Sequence, residues 1–436
     1  MLKLLIISLH FPPDNIIAAR RSEAYARHFY KFGVYPTIVT DIVEKVYDEN
    51  GKWVAYKNHG LDVKPIVEEY ETYRVIRLPR FIRRLQRMQK FVEQVSFLSP
   101  FFTLTMNLLG HFDMHLIGHY KNYKRYLANL LKQEKFDCIL AIDSPHYHVK
   151  LAYELNAEFN IPYICDFRDL IDNQILGANY KPGKSKNIIN RFKLYFFKKW
   201  LKDCIFITAA SHPIAAFYAN ISGVPGYEIT NGFEPLADNP AKKNEVSEFV
   251  LSYTGRLYQN QDWEILAKGV KNFIINENPS NFKVIFAGVR KDAKEIMKMI
   301  SQYIPEENLV TYMWLEKKET EEIQAKTSVF VLASWSGTVG VYSGKLFEYL
   351  GARKPILFAP GDKCGVVDQL LLKTKAGITA NTPEEVCTFI TLKYNEWREA
   401  GQVRYDGIEK EINKYTREEQ VNRMAGLIKK YLKNGK

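Results

Sequence analysis

Ser343-Gly-Lys-Leu-Phe-Glu-Tyr-Leu-Gly351, with Lys354-Pro-Ile-Leu357 close behind it, is the stretch from which the rest of the chain can be read. A loop rich in small residues, Ser334 to Gly344, feeds a helix over 344–352. The apolar run Val329–Leu332 precedes that loop, and Pro355–Phe358 follows the helix. Strand, helix and strand in this order make one unit of a parallel sheet. The helix begins with Ser343, Gly344 and Lys345, where free backbone N–H groups and a cation suit a diphosphate. Glu348 lies one turn inside, among apolar Leu346, Phe347, Tyr349 and Leu350. There a carboxylate can accept two hydrogen bonds from ribose hydroxyls; the alternative is a solvated helix residue.

The same alternation extends in both directions. Toward the N-terminus, short apolar runs at Lys3–Leu9, Tyr35–Thr40, Tyr73–Leu78, Phe136–Ile142, Tyr163–Asp166, Cys204–Thr208 and Gly226–Thr230 alternate with amphipathic stretches. Short buried strands alternating with helices predict an α/β chain with parallel sheets covered on both faces. The pattern pauses at Asn231–Glu248, a polar stretch with Pro235 and Pro240, and restarts at Phe249–Tyr253. Two doubly wound, Rossmann-like domains are therefore expected, over 1–233 and 248–415, with a linker over 234–247. Ligands of such sheets sit beyond the carboxyl ends of the strands, here in the cleft between the halves.

Composition agrees with this class. The chain has 436 residues, 46% hydrophobic and 25% charged, which excludes a disordered, collagenous or coiled-coil protein. The 61 basic and 49 acidic residues leave a formal charge of +12. Without a zinc finger, RNP motif or Lys/Arg-rich low-complexity tail, nucleic acid is the weakest partner for that charge. Five widely spaced cysteines with no C-x-x-C pair imply neither a zinc site nor a disulfide framework. The N-terminal apolar run stops at Pro12-Pro13 with no cleavage site behind it, so a first strand and a cytoplasmic protein are expected. Arg80, Arg83, Arg84, Arg87 and Lys90 share a basic, partly apolar stretch, and no charged residue occurs from Gln94 to Phe112. Pro100 and Asn107 argue against a spanning helix, so the expectation is peripheral attachment to an anionic membrane surface. The alternative is a solvated helix over an ordinary hairpin.

Three further patterns sit at strand ends. Ser8-Leu-His-Phe-Pro-Pro13, followed by Ala19-Arg20-Arg21, is a loop and helix start suited to anions. Cys165-Asp-Phe-Arg-Asp169 puts two carboxylates around a guanidinium, to bind polyols or simply to make a structural ion pair. Tyr253-Thr-Gly-Arg256 ends a strand with Gly255, which permits close approach, and Arg256, whose fork matches phosphate.

In order and spacing these motifs resemble glycosyltransferase family 4, retaining enzymes of the GT-B fold, in particular the bacterial surface-polysaccharide type. The resemblance rests on the FPP loop, the D-x-R-D segment, Asn231-Gly-Phe233, Gly255-Arg256, and the S-x-K-x-x-E-Y-L helix followed by K-P. It implies transfer of a sugar from a nucleoside-diphosphate sugar to a glycan or lipid-linked acceptor, with retention, and no metal or cofactor. It also implies a C-terminal helix, about 416–436, returning to the N-terminal, acceptor-binding domain; the second domain would bind the nucleotide sugar. Glu348 would hold the ribose, and Ser343, Gly344, Lys345, Gly255 and Arg256 the diphosphate. Asp143 and His146, in Asp143-Ser-Pro-His-Tyr-His148, would face sugar and acceptor together with Asp166, Arg168 and Asp169. Pro13 and Arg20 would belong to the acceptor-side loop.

The chain departs from that pattern in three places. Gly340 stands where the family often has the first of two Glu residues. Tyr258, Gln259, Asn260, Gln261 and Asp262 stand where a Lys is usual, so phosphate neutralisation falls to Arg256 and Lys345. Ile16, Ile17, Ala18 and Ala19 replace the glycines after FPP. An epimerase of the same architecture, with Asp143, His146, His148 and Asp169 as acid and base groups, and a non-catalytic glycan-assembly subunit remain open.

Overall fold

A computed structural model describes residues 1–14, 17–47, 53–57, 59, 63–80, 117–170, 188–235, 247–313, 315–335, 340–362 and 364–434. The expected basic helix beyond Arg80, the uncharged stretch to Phe112 and most of the linker lie outside them. The chain divides into two compact units. Described residues up to Thr230, together with those from Gln420 onward, form the first, and Asn231–Glu419 form the second.

The first unit is built on strands β1 (Leu2–Ile7), β2 (Val34–Asp41), β5 (Ile66–Glu69), β6 (Arg74–Leu78), β7 (Cys138–Ile142), β8 (Tyr163–Phe167), β9 (Ile207–Ala209) and β10 (Gly226–Glu228), with a separate ribbon of β3 (Lys45–Tyr47) and β4 (Trp53–Tyr56). Its sheet runs β10-β9-β8-β7-β1-β2-β6-β5. All neighbours are parallel except β5, which pairs antiparallel with β6 at the edge. Leu4 to Ile7 of β1 are fully buried, as a central parallel strand covered by helices requires. Beneath it lie Phe29, Leu140 and Phe206, joined by Val421, Met424, Ala425 and Ile428 of the C-terminal helix Arg417–Asn434. Their three- and four-residue spacing makes one apolar stripe. Thr230 N–H donates to Gln420 Oε1 at 2.8 Å, and the Tyr227 and Tyr431 hydroxyls meet at 2.6 Å.

The second unit carries β11 (Phe249–Thr254), β12 (Phe282–Ala287), β13 (Leu309–Tyr312), β14 (Val329–Leu332), β15 (Ile356–Phe358) and β16 (Gly377–Thr379), ordered β13-β12-β11-β14-β15-β16 and wholly parallel. Counted from its own first strand, that order is 3-2-1-4-5-6, the doubly wound Rossmann arrangement. The first unit repeats it with β1, β2, β6 and then β7 to β10. Each sheet therefore has one topological switch point, between β1 and β7 in the first unit and between β11 and β14 in the second. The quoted patterns sit there: the loop after β1 and Asp143 after β7, then Gly255 after β11 and the loop from Ala333 after β14.

Candidate functional site

In the second unit the end of β11 is tied to the helix Gly344–Ala352. Tyr349 stacks on Phe330, with centroids 4.0 Å apart, and its hydroxyl accepts from Thr254 N–H at 2.8 Å. The bond fixes the helix against the turn that follows. Gly255 N–H is held by Ala287 O at 2.7 Å, and the Tyr253 hydroxyl donates to Arg256 O at 2.8 Å. A Cβ on Gly255 would lie 2.9 Å from Lys345 Cε, so the lysine side chain runs directly over this turn. Ser343 caps the helix, its Oγ accepting from Lys345 N–H at 3.3 Å.

The structure thus brings Gly255, Ser343, Gly344, Lys345 and Glu348 together. Leu346, Phe347, Tyr349 and Leu350 are buried, whereas Glu348 is exposed, on the opposite stripe of the helix. Its carboxylate accepts from Lys345 Nζ at 2.9 Å. Arg256 bonds Asp292, and its guanidinium lies 5.1 Å from the Tyr258 ring centroid. Tyr258 meets Trp335 edge-on, in the region where the family's Lys is missing. Beside them a pocket is lined by Ser334, Trp335, Val341, Ser343, Leu346 and Asp362. Burial pushes the Asp362 carboxyl up, while amides of Val367 and Asp368 bond it. Asp292 and Asp362 were not legible in the sequence, because each lies in a loop with no recurrent pattern. Lys354 of the K-P pair has a structural part. It donates to the carbonyls of Gln324, Ala325 and Thr327, closing the C-terminal end of helix Lys317–Lys326. Burial pulls its pKa down to about 8.

In the first unit three histidine–carboxylate pairs stand at neighbouring strand ends. His10 Nδ1 is 2.8 Å from Asp14 after β1, His119 Nδ1 is 3.3 Å from Asp41 at the end of β2, and His146 Nδ1 is 3.0 Å from Asp143 after β7. The first two pairs were not anticipated, although His10 immediately precedes Phe11-Pro-Pro13. The hydrogen-bonded pairs of His10 and His146, both partly exposed, can each hold an imidazole in one tautomer for proton exchange with a hydroxyl, whereas His119 and Asp41 are buried. Asp169 is exposed and Arg168 partly buried, so both can meet a ligand; burial pulls the Arg168 guanidinium below its ordinary value. Pro13 is exposed.

Asp166 makes the structural ion pair that the sequence offered as its alternative, and does not face a ligand. Asp166 is wholly buried and accepts from Arg21 Nε and Nη2, each at 2.6 Å, from Thr208 at 2.7 Å and from Tyr25 at 3.1 Å. Two bonds fill each oxygen, leaving none for a sugar, and the geometry gives Asp166 a structural part. Burial alone would lower the Arg21 pKa, but the charge and bonds of Asp166 raise it. Arg20 points to Glu23 of its own helix, at 3.7 Å. Adjacent arginines lie about 100° apart on a helix, so only one can face the sheet.

His148 is fully buried, and its Nδ1 bonds Ile142 O at 2.9 Å. Burial lowers its pKa to about 4, and Nε2 has no hydrogen-bond partner among the described residues. The imidazole folds neutral, with Nδ1 as the donor. Since an unfolded histidine titrates near 6.5, its contribution is complete above about pH 6.5 and is lost as pH falls toward 4. Wild-type protein should lose about 2–3 kcal/mol from this group between pH 7 and 4.5. Urea unfolding of His148→Gln at the two pH values should show a correspondingly shallower loss. Equal losses in both proteins would remove His148 from the acid response.

Among the described residues no cluster of three or more His, Cys, Asp or Glu could hold a metal ion. None of their helices is long and apolar enough to cross a membrane. No family model matches the chain, and no curated protein matches it. Solved structures do. Sucrose-phosphate synthase from Thermosynechococcus elongatus aligns over 100% of both chains, with 13% identity and TM-score 0.59. A UDP-forming α,α-trehalose-phosphate synthase from Burkholderia xenovorans, in complex with glucose-6-phosphate, covers 99% of this chain and 100% of its own, with 9% identity and TM-score 0.61. Anabaena HepE, in complex with UDP-glucose, covers 98% and 99%, with 11% identity and TM-score 0.55. The chain has the GT-B glycosyltransferase fold. The likeness spans both Rossmann-like units, and at these identities it speaks for the fold alone.

Proposed function

We propose that this chain is a glycosyltransferase. It moves a sugar from a nucleoside-diphosphate sugar to a glycan or lipid-linked acceptor with retention, as the motif resemblance to family 4 enzymes of surface-polysaccharide synthesis suggests. The observation that carries the reading is one cluster at the switch point of the second unit. A capped helix start, two cations and an exposed carboxylate one turn further on are gathered around Gly255. Lys345, Arg256 and the amides of the helix start would stabilise the diphosphate as it leaves, without a metal. Glu348 would accept from the ribose hydroxyls. Asp143 and His146 would face the sugar and acceptor, with Arg168 and Asp169 beside them. Of two structural neighbours, HepE was solved with UDP-glucose, a nucleoside-diphosphate sugar like the donor proposed here, and the trehalose-phosphate synthase with glucose-6-phosphate, a sugar phosphate.

The acceptor is placed at a membrane surface on the sequence of 80–112 alone, and the location is accordingly the cytoplasmic face of a membrane. The test is a panel of UDP-, GDP- and ADP-sugars offered with lipid-linked and soluble glycan acceptors, in the presence of anionic vesicles. Products are read by mass spectrometry and the new linkage by NMR. A sugar–acceptor product with the donor's anomeric configuration is expected. Epimerised donor without transfer would favour the Asp143–His146 pair as an epimerase acid and base. Absence of any product across the panel would favour a binding subunit.

A further inference from the structure

Both cations at the switch point of the second unit are already paired. Lys345 holds Glu348 at 2.9 Å, and Arg256 holds Asp292. Glu348 has a place in the donor reading; Asp292 has none. It comes from the turn Lys291–Ala293, beyond β12, and the backbone puts it beside Arg256. Gly288 adopts φ +97°, and a Cβ there would stand 2.8 Å from Gly255 O. The chain leaving β12 is therefore pressed directly on the turn that carries Arg256. Stacking over Tyr258 positions the guanidinium from a second side. The side chains are 42% and 43% exposed, so an incoming anion can reach the pair.

We propose that Asp292 is a resident counter-ion of the donor site, which a diphosphate displaces from Arg256 on binding. The proposal rests on the donor reading above and adds a residue that sets affinity. Two carboxylates balance two cations, so these four groups offer a ligand no net attraction before the exchange. A diphosphate carries enough charge to take Arg256 and Lys345 together, because the guanidinium fork donates to phosphoryl oxygens as well as to a carboxylate. Asp292 then loses its partner, and the ion pair given up is subtracted from the affinity of the complex. Turning Lys345 to the diphosphate also frees Glu348, the carboxylate assigned to the ribose. An exposed ion pair contributes little, so the exchange is readily reversible.

Titration calorimetry with inorganic pyrophosphate, UDP, GDP and uridine, at one fixed ionic strength, tests this. Asp292→Asn keeps the side chain's shape and removes its charge. It should bind pyrophosphate about fivefold more tightly, with the preferred nucleoside diphosphate following and uridine unmoved. In an Arg256→Ala background the same substitution should change pyrophosphate affinity by less than about twofold, because the pair is already broken. A purely structural carboxylate would give unchanged or weaker binding, and that result overturns the proposal. So does a gain that persists in full without Arg256. Wild-type protein that binds none of pyrophosphate, UDP and GDP overturns the donor site itself, an outcome distinct from failure of Asp292 alone.

Discussion

Asp166→Ala should destabilise the first unit by about 3–5 kcal/mol, because it leaves the Arg21 guanidinium buried and unpaired. Arg21 has a side chain only 4% exposed and Asp166 none, and the pair is closed by two bonds of 2.6 Å. Arg21 also donates to Thr230 O at 3.1 Å, tying the helix Ile17–His28 to the chain leaving β10. Total stabilities of single domains are about 5–15 kcal/mol, so this one loss is a large part of what holds the unit folded. Urea unfolding followed by circular dichroism should show an earlier transition in Asp166→Ala, with a second, unshifted phase if the other unit unfolds separately. Replacing both partners, as Arg21→Met with Asp166→Leu, should recover much of the loss, since an apolar pair needs no compensating charge. A catalytic Asp166 predicts the reverse: Asp166→Asn as stable as wild type but inactive, and no rescue by the apolar pair.

The fold was legible because its strands are central, buried and parallel. Runs such as Leu4–Ile7, Ile139–Ala141 and Leu251–Tyr253 have little polar interruption, and they mark strands by hydrophobicity alone. The sequence passed over β5, where Ile66 and Val67 are exposed at an edge, and the short ribbon β3–β4. Edge strands lack the two-sided burial that the reading relies on. Within the site, residues on one helix or one turn were found, because spacing along the chain fixes spacing in space: Ser343, Lys345 and Glu348, then Gly255 and Arg256. Partners recruited from elsewhere were not. Asp292 lies 36 positions from Arg256, and Asp166 is 145 from Arg21. Charge type alone could not tell a carboxylate that faces a ligand from one that neutralises a buried arginine. Arg20 and Arg21 show the same limit at its smallest scale, since one position decides which arginine reaches the sheet.

Glu348→Gln should weaken nucleotide-sugar binding by about 10- to 150-fold, the worth of a charge-assisted hydrogen bond of roughly 1.5–3 kcal/mol. The same substitution should not weaken inorganic pyrophosphate. Glu348 holds Lys345 at 2.9 Å, so removing its charge frees a cation for phosphate while depriving ribose hydroxyls of their acceptor. The two ligands thus divide the two parts a carboxylate can play at this position. A residue that serves only as counter-ion to Lys345 would give tighter binding of both. One that only stabilises the helix would weaken both, with a lower unfolding temperature. Because Glu348 is exposed and its neighbours Phe347 and Tyr349 carry the packing, Glu348→Gln should melt within a degree or two of wild type. Calorimetry of the variant with pyrophosphate, a nucleoside diphosphate and its 2′,3′-dideoxy form completes the measurement. Wild type should lose affinity on removal of the two hydroxyls, and Glu348→Gln should lose little more. A variant that still discriminates the dideoxy ligand as sharply as wild type would assign the ribose to another residue.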